Sequence, residues 1–375
     1  MKVCLVHDFL NQLGGAERTL AALHELWPRA PIYTLVADWK IVDQLNLPRE
    51  LIHPLLKNWK RGWLKYLTLF FPFLWENLSL EDFEIIISSS ASFAKGVITH
   101  KEQIHLNYCH TPPRFLYHLP AETTKRQHWP WKGFLAVADF FLRNWDFVAA
   151  WRPDFLIANS YCVAERIKKF YRRRALVIYP PVELVEKAAG LEFSPPGDYY
   201  LVVSRLSAYK NIPLVIEACS QLNLNLKIVG VGPEKRKWER LAQSKKAKIQ
   251  FCGFVEDEKL LELYRQCRGL IFPVLEEDFG IVPVEAMALG RPVVALASGG
   301  VKESVVHERT GLLFSSPTLP PLLEALQKLE QDPYFQSRDC FKACRQQAQR
   351  FSKTRFQKKF YTYVKRLYQK KFTRD

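Results

Sequence analysis

Two glutamates eight positions apart, Glu277 and Glu285, stand in the stretch 276–290, Glu-Glu-Asp-Phe-Gly-Ile-Val-Pro-Val-Glu-Ala-Met-Ala-Leu-Gly. The apolar run 269–273 before them reads as a buried strand, and the run from residue 281 reads as a helix with its own punctuation. Pro283 suits the first turn, where its missing N–H costs nothing. Gly290 suits the left-handed position past the last turn, and Pro292 forbids continuation. Glu277 then falls in the strand-to-helix loop and Glu285 inside the helix. Unpaired N–H groups and the positive end of the dipole at a helix start favour a phosphate, while carboxylates accept hydrogen bonds from vicinal hydroxyls. Phosphate beside hydroxyls is the chemistry of a sugar nucleotide.

Other residue groups fit the same ligand. Arg205 and Lys210, in Ser-Arg-Leu-Ser-Ala-Tyr-Lys-Asn at 204–211, follow an apolar run and precede a helical one. Two cations in a strand-end loop can neutralise a diphosphate and the charge that grows on it as it departs. Gly14 and Gly15 open the first helix after the first strand, where backbone N–H groups can reach a phosphate or sugar. They do not form the Gly-x-Gly-x-x-Gly dinucleotide fingerprint. No Asp-x-Asp occurs, so the diphosphate is expected to be held by Arg205, Lys210 and the helix start, with no obligatory metal and no cofactor beyond the sugar nucleotide itself.

The elements that position these residues alternate. Apolar strands are expected at 2–7, 31–36, 83–88, 105–109 and 154–158, and again at 199–204, 226–229, 249–252, 269–272, 292–296 and 312–314, with helical or irregular stretches between. That alternation predicts an α/β protein with two doubly wound parallel sheets, and 375 residues suffice for two such domains. The expected divisions are residues 1–182, a linker at 183–198, a second domain at 199–340 and a basic helix at 341–375 that returns to the first domain. The eight cysteines include no Cys-x-x-Cys pair and read as reduced core residues. The amino terminus reads as a first strand and not a signal peptide.

The stretch from Glu277 to Ala295, including Gly-Arg-Pro-Val-Val-Ala after the helix, resembles the donor-site signature of the family-4 (group 1) retaining glycosyltransferases. The resemblance implies GT-B architecture, two facing Rossmann-like domains with a cleft between them, the carboxyl-terminal one holding the donor and the amino-terminal one the acceptor. It assigns Glu285 to the ribose hydroxyls, Glu277 to a hydroxyl of the donor sugar, and the backbone of Phe279, Gly280 and Ile281 to the sugar and diphosphate. Arg205 and Lys210 match the diphosphate clamp, Gly14 and Gly15 a Gly-Gly-Ala-Glu motif, and Gly299-Gly300 the family's Gly-Gly turn. Gly253 and Val255 correspond to a strand end near the nucleobase, and His110 to a position close to the sugar. The pattern is most similar to the mannosyltransferase branch, which makes GDP-mannose the expected donor. A sugar-nucleotide epimerase of the same architecture and a non-catalytic membrane-associated sugar-nucleotide-binding protein are the alternatives.

The net charge of +16 is unevenly placed: residues 1–180 carry 23 Lys and Arg against 16 Asp and Glu, 181–340 carry 19 against 21, and 341–375 carry 12 against 1. Two basic aromatic stretches result, 56–75 and the tail. With cations beside Trp and Phe, they fit an anionic membrane surface, and no recognisable RNA-binding module accompanies them to support specific nucleic-acid binding. The expected acceptor is a glycan or polyprenyl-linked glycan in surface polysaccharide assembly, and the expected location is cytoplasmic, peripheral at the inner face of the cytoplasmic membrane.

Overall fold

The structure, a computed structural model, describes residues 1–57, 67–120 and 132–373. Two compact units divide it: residues 1–181 with the returning segment from Thr354, and residues 182–353. The first holds a parallel sheet of seven strands, β1 (Val3–His7), β2 (Ile32–Thr34), β3 (Ile52–Pro54), β4 (Ile85–Ser90), β5 (Ile104–Cys109), β6 (Phe155–Ala158) and β7 (Leu176–Val177), in the order β3-β2-β1-β4-β5-β6-β7. The second holds six, β8 (Tyr199–Val203), β9 (Asn225–Val229), β10 (Ile249–Gly253), β11 (Gly269–Phe272), β12 (Val293–Leu296) and β13 (Gly311–Phe314), in the order β10-β9-β8-β11-β12-β13.

Both orders run outward from the first strand of the unit and then reverse, so each sheet has a switch point, β1 against β4 and β8 against β11. Neighbouring loops leave in opposite directions there and open a crevice at the carboxyl ends of the strands. The strands read as apolar because helices cover both faces, leaving β1, β11 and β12 wholly buried.

Three expectations need correction. The edge strands β3 and β7, only three and two residues long, were not expected. Segment 183–198 is no free linker. It begins with a short helix, Leu184–Lys187, buries Val185 and Ala188, and is tied into the second unit where Arg345 donates to the Ala188 carbonyl at 2.6 Å and Arg291 to Ser194 Oγ at 2.9 Å. The tail is two helices, divided after Phe351. Arg338–Ala348 stays in the second unit, and only the helix Lys353–Phe372 passes into the first, where Phe356, Phe360 and Val364 join Leu5, Ile32, Ile87 and Tyr108 in one core. The apolar stripe of the tail is therefore core, with its lysines outward.

Of the basic aromatic stretch 56–75, residues 58–66 lie outside the described residues. Phe71 and Trp75 are buried in the first unit, while Phe70 and Phe73 are exposed. No helix among the described residues is long and apolar enough to cross a membrane. The eight cysteines are all unbridged.

Candidate functional site

The second unit brings Lys210 and Glu277 together at its switch point. Lys210 ends a 3-10 turn, Ala208–Lys210, just past β8, and Glu277 lies in the loop after β11. The Lys210 ammonium donates to Glu277 Oε2 at 2.9 Å, the side chains being 13% and 19% exposed. Burial alone would pull the lysine pKa down, but the Glu277 carboxylate, with Tyr209 beside it, outweighs that and holds it above its ordinary value. The ammonium thus stays charged across the neutral range. Its Nζ also lies 4.7 Å from the Tyr209 ring centroid.

Both loops are fixed by backbone. Leu206 N donates to the Val231 carbonyl at 3.0 Å and Glu234 N to the Leu206 carbonyl at 3.1 Å, lacing the loop after β8 onto the loop after β9. Glu277 forms a bridge with Gly299, and Gly300 N donates to the Glu277 carbonyl at 2.8 Å. A Cβ on Gly299 would stand 2.1 Å from that carbonyl oxygen, and φ there is +73°, so only glycine lets the two backbones touch. The Gly299-Gly300 turn is thereby a support for the Glu277 loop.

Gly280, at φ +86°, turns the chain into the helix Ile281–Ala288, whose first N–H groups have no partner within the helix itself. Phe279 is buried edge-on against Phe351 at 5.2 Å. Glu285, half-buried, accepts a hydrogen bond from the Tyr264 hydroxyl at 2.8 Å on Oε2. Tyr264 is fully buried on the helix Asp257–Gln266. Sequence reasoning missed it, because on that helix it reads as one more apolar position. The contact holds one of its two carboxylate oxygens. Tyr264→Phe is expected to raise the donor KM about fivefold, from loss of roughly 1 kcal/mol of orientation, with kcat within about twofold. Donor titration of the variant checks this, and an unchanged KM would remove Tyr264 from the site.

The remaining expected donor residues are placed as follows. Arg205 stands at the end of β8 with an exposed side chain. Gly253 ends β10 at φ +69° with open space where a Cβ would go, its carbonyl accepting from Gly230 N at 2.7 Å, and Val255 follows half-buried.

The first unit builds around its own switch point. Gly14 precedes and Gly15 begins the helix Gly15–His24, with the Glu17 side chain buried against the turn. Asp8, just past β1, accepts from the backbone N–H groups of Ala91, Ser92, Phe93 and Ala94 at 2.7 to 2.8 Å, shaping the loop after β4. His110, after β5, is nearly buried, with Nε2 2.8 Å from Ser89 Oγ. His7 Nδ1 lies 3.0 Å from the Ser89 carbonyl and 3.2 Å from its hydroxyl. A carbonyl only accepts, so His7 donates through Nδ1. The serine hydroxyl thus stands between the two rings, hydrogen-bonded to His110 Nε2. Burial, with His7 nearby, drives the His110 pKa down to about 3, so the ring is neutral at working pH. His7, Asp8 and Ser89 were not singled out in the sequence, although a His-Asp pair closing an apolar strand is a signal that could have marked two of them.

Residues 186–353 match the family model described as glycosyl transferases group 1. Among curated proteins, the human alpha-1,3/1,6-mannosyltransferase ALG2 is 25% identical over 323 residues, covering 77% of this chain and 75% of that one. The O-antigen chain mannosyltransferase C of Escherichia coli is 26% identical over 212 residues, 53% of this chain and 54% of that one. Among solved structures, Anabaena Alr3699/HepE in complex with UDP-glucose superposes with a TM-score of 0.69 at 19% identity over 97% of this chain and 99% of that one. The sucrose-phosphate synthase of Thermosynechococcus elongatus gives 0.71 at 18% identity, over 98% of each. At those identities the superpositions establish the fold. With two parallel α/β units of GT-B type and a family match over residues 186–353 that spans the Lys210–Glu277 pair and Glu285, the chain is a glycosyltransferase whose second unit matches the group 1 family.

Proposed function

We propose that the protein transfers mannose from GDP-mannose, with retention at the anomeric carbon, to a glycan carried on a lipid at the inner face of the cytoplasmic membrane, in the assembly of a surface polysaccharide. The observation that carries the donor reading is the Lys210–Glu277 pair at the β8–β11 switch point. A fixed cation there meets the diphosphate, and the carboxylate beside it accepts from a sugar hydroxyl. The mannosyl assignment is supported by relatives named as mannosyltransferases.

In this reading Glu285 Oε1 takes the ribose hydroxyls while Tyr264 holds Oε2. The bond from the anomeric carbon to the β-phosphate oxygen breaks with its electron pair passing to that oxygen. Arg205, Lys210 and the N–H groups at the start of Ile281–Ala288 stabilise the charge, in place of a divalent ion. The acceptor hydroxyl attacks the same face, its proton passing to the departing phosphate. His110, neutral and held by Ser89, is placed to hydrogen-bond a sugar hydroxyl.

Thermal shift with GDP-mannose, UDP-glucose, UDP-galactose and UDP-N-acetylglucosamine, on the wild type and Glu285→Ala, tests the donor. Stabilisation by GDP-mannose alone, lost in the variant, is expected. Stabilisation by a UDP-sugar instead would overturn the mannosyl assignment, and equal stabilisation of both proteins would displace the site. With acceptor present, turnover is expected to be unchanged by a chelator.

A further inference from the structure

The helix Lys132–Ala149 is apolar on both sides. Its inward side buries Ala138, Leu142 and Ala149 together with Asp146, which pairs with the buried Lys95 ammonium and accepts from the Tyr117 hydroxyl at 2.9 Å. On the same side Trp145 Nε1 donates to Glu76 Oε1 at 2.6 Å, its ring tilted against Phe93 at 5.7 Å. Its outward side carries Val137, Phe140, Phe141, Phe147 and Val148, with Trp151 just past its end, and Phe140, Phe141 and Trp151 are 58%, 63% and 54% exposed. Amphipathic helices normally place charge outward and rings inward. An apolar face of this size, held out by a buried ion pair behind it, marks a contact surface. The neighbouring helix, Phe71–Glu76, joined through Glu76 to Trp145 and Arg152, adds exposed Phe70 and Phe73.

What covers such a face is indicated by the charge at its end. The Arg173 guanidinium lies 5.5 Å from the Trp151 ring centroid and donates to the Ala150 and Pro153 carbonyls at 2.9 and 2.6 Å. Exposed Arg172 and Arg174 flank Arg173 in the chain, with exposed Lys168 and Lys169 on the helix Tyr161–Tyr171 that leads to them. The nearby acids are engaged: Glu165 with Lys168 at 3.9 Å, and Asp154 with the His105 N–H at 2.8 Å. Rings and a tryptophan flanked by cations match the boundary between acyl chains and anionic headgroups.

We propose that the outward face of Lys132–Ala149 docks the first unit on an anionic phospholipid surface, its phenylalanines entering the acyl boundary and the Arg172–Arg174 cluster meeting the headgroups. This deepens the reading of a lipid-borne acceptor and rests on it for its purpose, while its test reads binding and not transfer. The full chain is floated with vesicles of phosphatidylcholine alone and of phosphatidylcholine with phosphatidylglycerol, alongside Phe140→Ser/Phe141→Ser and Arg172→Glu/Arg174→Glu. Because the substituted side chains are exposed, both variants are expected to fold and to keep the wild-type thermal shift with the sugar nucleotide. The wild type is expected to bind the anionic vesicles at least about tenfold better than the neutral ones. The serine variant loses about tenfold or more on anionic vesicles, and the glutamate variant loses the anionic preference. No wild-type flotation, or flotation equal in wild type and serine variant, overturns the proposal. So does a concentration-dependent dimer that the serine variant abolishes while neither protein floats, which would assign the face to a second copy. Intact flotation without any sugar-nucleotide shift would instead count against the donor reading alone.

Discussion

Lys210→Ala is expected to lower kcat/KM by on the order of 10²- to 10³-fold, the cost of removing one preorganised charge from the site where a leaving group becomes negative. The loss should fall on kcat more than on KM, because the diphosphate gains charge as the glycosidic bond breaks. The same change leaves Glu277 mostly buried without its cation. Breaking a well-buried pair costs about 3–5 kcal/mol, and the partial exposure of both side chains reduces that to about 2. For a unit of this size the midpoint should fall by roughly 4–8 °C. Lys210→Met/Glu277→Leu separates the two effects, since removing both charges restores much of the stability and none of the turnover. Activity within about threefold of wild type in Lys210→Ala would take the lysine out of the reaction.

The second large effect is acid lability of the first unit. His105 and His110 are both buried, and burial drives each pKa to about 3, with cationic Arg173 and Arg152 adding to it at His105 and His7 at His110. Burial lowers His7 as well. In the unfolded chain each titrates near 6.5, so between about pH 6.5 and pH 3 the unfolded state binds protons that the folded state refuses. Stability therefore falls as pH drops, by about 1.4 kcal/mol per pH unit for each fully neutral buried histidine. From pH 6.5 to 4.5 two such groups remove about 5 kcal/mol, comparable with the whole stability of a typical domain. Carboxylates act lower. Glu84, held below its ordinary range chiefly by the Lys2 N–H, loses its contribution only as pH falls through the carboxylate range. Nine of the ten tryptophans precede residue 182, so intrinsic fluorescence reports this unit. Urea midpoints followed that way at pH 7 and pH 5 should differ steeply, and less so in His105→Gln. A midpoint flat down to pH 5 would mean that the buried rings accept protons.

The strand-turn-helix segment that carries Glu277 and Glu285 was legible because its backbone preferences are local. The strand, the Gly280 turn, Pro283 and Gly290 sit within 22 consecutive residues, from Gly269 to Gly290, each at a position its own backbone preference selects. The pairing of Lys210 with Glu277 was not legible, since it spans 67 residues and exists only because β8 lies beside β11. Tyr264 was hidden for the same reason, reaching Glu285 from another helix. The edge strands were missed because register with β2 and β6 defines them, not their own sequence. Segment 183–198 looked like a linker by composition, yet Arg291 and Arg345 satisfy its backbone from a distance in sequence that no window covers. The outward phenylalanines of Lys132–Ala149 have the same cause. Their spacing suits a core-facing stripe, and the packing of Leu142 and Trp145 with the buried Lys95–Asp146 pair decides which side faces in.

The returning helix has a consequence for the order in which the molecule is made. Phe356, Phe360 and Val364 belong to the core of the first unit but are translated after the whole of residues 182–353. On the ribosome the second unit therefore possesses its full sequence before the first does, although the first is begun earlier. At ordinary elongation rates the early sheet waits roughly ten to thirty seconds with one side of its core uncovered. A chaperone that shields apolar surface on nascent chains has its window there, and it closes when the last helix arrives.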